Sequence, residues 1–157
     1  MLFRKSLAAM TLTLTILIAN SAHAENALGI VIGDPTGLSG RFNMDAEHSL
    51  EGALAITSEH YHGLHLHGTY LWDQARTFHL QNSHPVYMYY GLGARIISID
   101  RGDHDGDIAL AARAPIGLLI KINNPNLEFF GELAAALNVT PNVNADLDVG
   151  IGCRIRF

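Results

Sequence analysis

The sequence predicts an all-β chain, an eight-stranded antiparallel up-and-down transmembrane β-barrel that follows a cleaved signal peptide. Three observations predict it. The chain begins with a short basic and apolar segment, the remainder divides into short runs separated by turn residues, and each run alternates apolar with polar or small residues. A period of two is the spacing of side chains on one face of a β-strand.

The first 24 residues have the three parts of a secretory signal peptide. Arg4 and Lys5 supply positive charge, residues 7–19 form an uncharged apolar run, and Ala22-His23-Ala24 is a small-x-small cleavage site. The apolar run is shorter than the ~20 residues that a membrane-spanning helix needs. We therefore predict a signal peptide over residues 1–24, cleavage after Ala24, and one barrel domain over residues 25–157.

The predicted mature chain is acidic and has a single cysteine. Cleavage after Ala24 removes Arg4 and Lys5, which takes the net charge from −5 to −7. Because phosphate contacts need clustered Lys and Arg, we expect no nucleic-acid partner. Cys153 has no second cysteine with which to form an intramolecular disulfide, so the exported domain must be stabilised by other means.

Turn residues divide the mature chain into eight predicted strands. The strands cover residues 28–34, 38–43, 49–57, 64–73, 86–99, 108–122, 127–139 and 146–157. Pro35-Thr36-Gly37 is the first predicted turn, and the polar segment 74–85 is predicted to be a connection. Even spacing of strands and turns favours a meander closed into a barrel. Good helix formers in residues 127–137 leave a helix open as an alternative there.

Sorting each predicted strand by parity puts nearly all strand charges on one face and apolar residues on the other. Alternation is shared by soluble barrels, so a second observation is needed. The charged face is rich in Gly and Ala, which suit the crowded interior of an eight-stranded barrel filled by side chains. Charges buried there must be paired. The predicted lumen network consists of Arg41, Glu51, His65, His67, Arg95, Arg113, Glu128, Glu132, Asp148, Arg154 and Arg156.

Aromatic residues lie near the ends of several predicted strands. They are Tyr70, Trp72, Tyr87, Tyr89, Tyr90, Phe129 and Phe157. At strand ends aromatic side chains can form the interfacial girdles of membrane barrels. Ordinary core aromatics are the alternative interpretation.

Residues 148–157 alternate apolar residues and end in Phe157, and they resemble the terminal assembly signal of bacterial outer-membrane proteins. Segments 33–40, 90–95 and 113–118 resemble a group of small uncharacterised outer-membrane β-barrels. The resemblance implies location in the bacterial outer membrane, contact with its lipid, and recognition of the C-terminal strand by the barrel-assembly machinery. It implies no reaction, and we expect a monomer.

The histidine-rich fourth strand is the most unusual local feature. His65 and His67 share a strand face, and their spacing could place two imidazoles on one divalent metal. Because zinc sites need three or four ligands, we instead interpret them as lumen residues hydrogen-bonded to Glu51 or another carboxylate. We expect no metal and no cofactor. The acidic loop at 103–107 begins like a Ca²⁺-binding loop, but Ala114 stands at the twelfth position where that loop needs Glu.

The favoured hypothesis is a structural or interaction barrel with a charge-filled lumen and no enzymatic activity. One alternative is a soluble, lipocalin-like periplasmic barrel that binds a small apolar ligand. The other is an outer-membrane lipid-modifying enzyme, which would need a nucleophile and a base near the outer rim. Ser58 and His60 lie close together in sequence, in a predicted loop.

Overall fold

The computed structural model describes residues 25–57, 63–79, 85–98 and 107–157, with the side chains of all but residues 57 and 75–79. The predicted signal peptide lies outside the described residues. Eight β-strands form a closed barrel in which every strand pairs antiparallel with its sequence neighbours, and β8 pairs with β1. The strands are β1 Asn26–Asp34, β2 Thr36–Asn43, β3 His48–Thr57, β4 Gly63–His79, β5 Pro85–Ser98, β6 Ile108–Asn123, β7 Asn126–Thr140 and β8 Asn144–Arg156. The predicted eight-stranded antiparallel barrel is confirmed.

Most strand ends differ from the prediction by one or two residues, and the end of β4 differs by six. β4 continues to His79 through residues predicted as a connection, and it pairs with β5 beyond an irregularity between Gln74 and Phe78. β2 begins at Thr36, inside the predicted turn. Gly33 has a φ of 143°, a conformation that L side chains rarely adopt, and the Thr36 hydroxyl donates to its carbonyl oxygen at 2.7 Å. The φ of Gly33 and this hydrogen bond make a turn that is shorter than the predicted Pro35-Thr36-Gly37 turn.

The segment with good helix formers is a strand, so the helix alternative is wrong. β7 pairs along its length with both β6 and β8. Its residues alternate between the two faces: Glu128, Phe130 and Glu132 are buried and the intervening Phe129 is exposed. Period-two burial and pairing on both edges therefore outweigh local helix propensity.

The strands are staggered around the barrel. A path along register partners leaves β8 at one residue and returns to the same strand ten residues away. The path runs through Ile155, Leu28, Gly40, Gly52, Gly68, Ala94, Ala112, Leu137 and Ala145. For eight strands this shear corresponds to a strand tilt of roughly 40° and an interior that side chains can fill.

The two faces of the barrel have the polarity that strand parity predicts. On the outer face every strand presents large apolar side chains, and one from each strand is exposed by 46% to 66%. These eight are Ile32, Leu38, Leu54, Leu66, Leu92, Leu118, Leu133 and Ile151. The buried charged side chains that the structure describes on the strands point inward. The outside of the barrel is therefore the apolar face.

Aromatic side chains gather at the end of the barrel where β1 begins and β8 ends, and where the backbones of Asn26 and Phe157 pair. On the outer face Tyr70 packs against Trp72 with ring centroids 5.0 Å apart, and Trp72 stacks on Tyr90 at 5.7 Å. We call this end the terminus end and the opposite one, with Pro35 and residues 141–143, the loop end.

Two of the predicted girdle residues do not lie on the outer face. Tyr89 is fully buried in the interior. Tyr87 has the same parity, is partly buried, and packs against the interior apolar cluster. Their parity had already placed both on the charged face, so the prediction that counted them with the girdle was wrong.

Candidate functional site

The interior of the barrel, its lumen, is a closely packed network of ion pairs. All eleven residues predicted to line it lie inside, each with an exposed fraction of 8% or less. Strand alternation accounts for this placement, because each of these residues has the inward parity of its own strand. The tertiary structure adds which cation meets which carboxylate.

Arg154 is the centre of the terminus-end cluster. Its guanidinium donates to Glu128 at 2.9 Å and lies 2.8 Å from Glu51, and all three side chains are almost fully buried. It also donates to the Ser39 hydroxyl and lies over the Phe130 ring at 3.8 Å. One guanidinium thus compensates two buried carboxylates drawn from two other strands.

Arg41 forms a second ion pair at the terminus end. Its partner is Asp73, which also accepts a hydrogen bond from the Ser49 hydroxyl at 2.9 Å. The Arg41 guanidinium lies 5.0 Å from the centre of the Tyr89 ring. Arg41 therefore links β2 to β4 and β5, and the Asp73 carboxylate adds β3 through Ser49.

Arg156 and Lys121 both contact Glu25 at the rim of the terminus end. Glu25 is not among the predicted lumen residues. Arg156 donates to Glu25 at 2.6 Å and to the Ile122 carbonyl oxygen at 2.6 Å, and Lys121 lies 3.8 Å from Glu25. Glu25 precedes β1 and is half-exposed, so strand parity gave no signal for it.

Arg95 and Arg113 form the loop-end cluster. Both contact Asp148, and Arg113 also donates to Glu132 at 2.5 Å. Arg95 donates further to Asp146 at 2.5 Å and to Asn138 at 3.0 Å. Two guanidinium groups and three carboxylates thus form a cross-brace between β5, β6, β7 and β8.

His65 and His67 lie between the two clusters. Their ring nitrogens, Nε2 of His65 and Nδ1 of His67, are 3.0 Å apart. Nε2 of His67 faces Glu51 at 4.0 Å. We expected each imidazole to bond a carboxylate, and instead they bond one another, with a carboxylate near one of them only.

Glycines make room for the two large aromatic side chains of the interior. Gly117 is the register partner of Tyr89, and a Cβ at Gly117 would lie 2.3 Å from the Tyr89 ring. Gly152 is the register partner of Phe130, and a Cβ there would also lie 2.3 Å from the ring. The interior is therefore filled to contact, as the small residues on the charged face suggested.

Little free space is left between the ion pairs. The cavity lined by Glu51, His67, Arg113 and Glu132, among others, measures about 10 Å³. That is about the least space that one water molecule occupies. In the part of the chain that the structure describes, side chains therefore fill the lumen around this cavity.

No group of three or more His, Cys, Asp or Glu residues within the described ranges is arranged to hold a metal ion. The ring nitrogens of His65 and His67 face each other and do not converge on a shared point. His60, Ser58 and the acidic loop at 103–107 lie partly or wholly outside the described residues, so their predicted roles stay predictions.

Comparison of the chain with protein-family models, curated proteins and solved structures gives no match. The described residues contain no helix long and apolar enough to cross a membrane. The fold and the interior define the class of this protein as an eight-stranded antiparallel closed barrel whose buried charges form salt bridges.

Proposed function

We propose that this chain is an integral β-barrel of a bacterial outer membrane, with a structural or interaction role and a lumen closed by its own ion pairs. The single observation that carries the proposal is the polarity of the wall. Large apolar side chains stand outward on all eight strands, while the buried charged side chains of the described residues stand inward. This distribution is the reverse of that in a water-soluble barrel.

An apolar wall on this scale fits lipid better than water. Soluble monomers rarely expose contiguous apolar patches larger than a few hundred Å², and here the apolar band is continuous around the barrel. A closed barrel also leaves no unpaired strand edge along its paired length, which is the condition for crossing a bilayer with strands. The strand tilt of roughly 40° is in the range of membrane barrels.

The aromatic residues give a second, independent support. Tyr70, Trp72 and Tyr90 form a contiguous ring-to-ring patch on the outer face at the terminus end. Tyr and Trp are favoured at the boundary between hydrocarbon and water, because each ring has an apolar body and a polar group. The proposal places this patch at one membrane interface, with the apolar band beyond it in the hydrocarbon.

The filled interior favours a closed barrel over a diffusion channel and over a ligand-binding barrel. A lipocalin-like barrel that takes a small ligand needs a cavity large enough to hold it, whereas the cavity between Arg113, Glu132 and Glu51 measures about 10 Å³. The absence of an enzymatic activity, the monomeric state and recognition of the C-terminal strand by the assembly machinery remain part of the proposal.

Arginine substitutions at two exposed residues test the membrane assignment. Leu133 lies near the middle of the outer face of β7, and Val143 lies in the turn before β8. If the band faces hydrocarbon, Leu133→Arg lowers the free energy of unfolding by ~2–4 kcal/mol and Val143→Arg by ~0–1 kcal/mol. The measurement is urea unfolding of the barrel in lipid vesicles, alongside membrane fractionation and the gel-mobility difference between boiled and unboiled samples.

A mature chain that stays in the aqueous fraction, shows no heat-dependent mobility and tolerates Leu133→Arg as well as Val143→Arg is not a membrane barrel.

A further inference from the structure

We propose that His65 and His67 share a single proton in a buried hydrogen bond, and that acid breaks this bond by adding a second proton. The barrel would then carry an acid-sensitive contact at the junction of its two ion clusters. The inference concerns the interior alone and does not depend on where the barrel resides.

The geometry allows only one proton at the contact. Nε2 of His65 and Nδ1 of His67 are 3.0 Å apart, a hydrogen-bond distance at which one nitrogen donates and the other accepts. When both rings are protonated, both of these nitrogens carry hydrogen. The contact then has two donors and no acceptor, and two positive rings face each other.

Burial prevents the rings from escaping to water. His65 is fully buried and His67 is 6% exposed. On the β3 side their register partners are the small residues Ala55 and Ala53, both buried. A second charge on the pair would therefore be held inside the barrel without solvation, which is costly.

The surrounding charges do not remove that cost. The groups that face the pair are Asp34 from β1, Glu51 from β3, Arg95 from β5, Arg113 from β6, Glu132 from β7 and Asp148 from β8. Three of these four carboxylates already bind guanidinium groups: Glu51 binds Arg154, Glu132 binds Arg113, and Asp148 binds both Arg95 and Arg113. The two guanidinium groups themselves repel a further positive charge.

Proton linkage gives the sign of the effect. In the unfolded chain both imidazoles bind protons as the pH falls below ~6.5. Because the contact between the two folded rings holds a single proton, the folded pair binds one proton fewer, and acid stabilises the unfolded state relative to the folded state. We expect the ratio of folded to unfolded barrel to fall by up to about tenfold for each pH unit below ~6.

The test is equilibrium urea unfolding of the refolded mature chain between pH 7.5 and pH 5.5, where most carboxylates stay ionised. Wild type should lose stability across this range, and His65→Gln should lose most of that pH dependence, because an amide oxygen accepts the proton that His67 donates. His67→Gln removes the same contact from the other side. The matched control is His48→Gln, which changes a half-exposed imidazole paired with Asp45 at 2.9 Å and should keep the wild-type slope.

Two results overturn the proposal. One is wild-type stability that is flat over this pH range. The other is a slope that persists in His65→Gln and His67→Gln or disappears equally in His48→Gln. If neither lumen variant folds, NMR of the imidazole nitrogens of wild type decides: uptake of a proton by both His65 and His67 between pH 7.5 and pH 5.5 while the barrel stays folded overturns the proposal, and uptake of no more than one by the pair supports it.

Discussion

The inner and outer faces of the same strands differ in what they require of a residue. On the inner face of β6, a Cβ at Gly117 would lie 2.3 Å from the Tyr89 ring, whereas on the outer face of β4 a Cβ at Gly68 meets nothing within 4 Å. On the inner face each charge has a particular partner, and on the outer face the side chains share only apolarity. Each interior position therefore requires a particular residue, whereas an exterior position requires only an apolar or small one.

The largest expected loss of stability comes from removing Arg154, the central cation of the inner face. Arg154→Met leaves Glu51 and Glu128 buried without the guanidinium that bridges them. Breaking one partner of a buried pair costs about 3–5 kcal/mol, because an uncompensated charge remains inside. Urea unfolding in the same detergent or lipid as wild type measures it.

Arg156→Met is the matched control for that change. Its carboxylate partner, Glu25, is 57% exposed and can be solvated when the guanidinium is removed. We expect a clearly smaller loss of stability. Equal losses for the two variants would mean that burial does not set the strength of these pairs.

Two glycine substitutions compare the faces directly and should have an intermediate effect. Gly117→Ala forces the Tyr89 ring to move within a filled interior and should cost about 1–3 kcal/mol. Gly68→Ala adds the same methyl group to open space and should be neutral, or stabilising by about 0.5–1 kcal/mol, because the unfolded chain loses freedom. Thermal or urea unfolding of both variants checks the pair, and a Gly68→Ala variant as damaged as Gly117→Ala would contradict the comparison.

The smallest expected effect comes from a turn that belongs to neither face. The carboxylate of Asp45 accepts hydrogen bonds from the backbone N–H groups of Glu47 and His48 at 2.8 and 2.9 Å. The bond from Glu47, with His48 as the next contributor, lowers the pKa of Asp45 below its ordinary 3.8. Its stabilising contribution is therefore present at neutral pH and is lost as the pH falls below that value.

Asp45→Ala tests this turn. We expect a small loss of stability at pH 7 that is smaller at pH 3, because protonation of the carboxyl below its ordinary pKa of 3.8 removes part of this contribution. Unfolding curves for both chains at the two pH values measure it. A loss as large as that of Gly117→Ala would show that the turn matters as much as the interior.

Some features of the fold could be read from particular residues, and others could not. Glu132 and Arg154 were placed inside by parity, because a strand offers only two faces and lipid or core excludes charge from one of them. Tyr89 also had the inward parity, but its position near a strand end suggested an interfacial girdle. Only the register that brings Gly117 opposite its ring shows why the interior can hold it.

Pairing depends on distances around the barrel, which local sequence does not encode. Strand parity alone would let Arg113 pair with any carboxylate that points inward. The tertiary structure pairs it with Glu132 and Asp148. The contact between His65 and His67 likewise depends on their buried ring orientations, and the role of Glu25 depends on β8 closing against β1.

The sequence by itself determined the number of strands and which side chains share a face, because both follow from a period of two and from turn residues. The tertiary structure alone decided the ten-residue shear, the extension of β4 to His79 and the partner of each buried charge. These features depend on closing the sheet into a ring, and closure couples residues far apart in the chain.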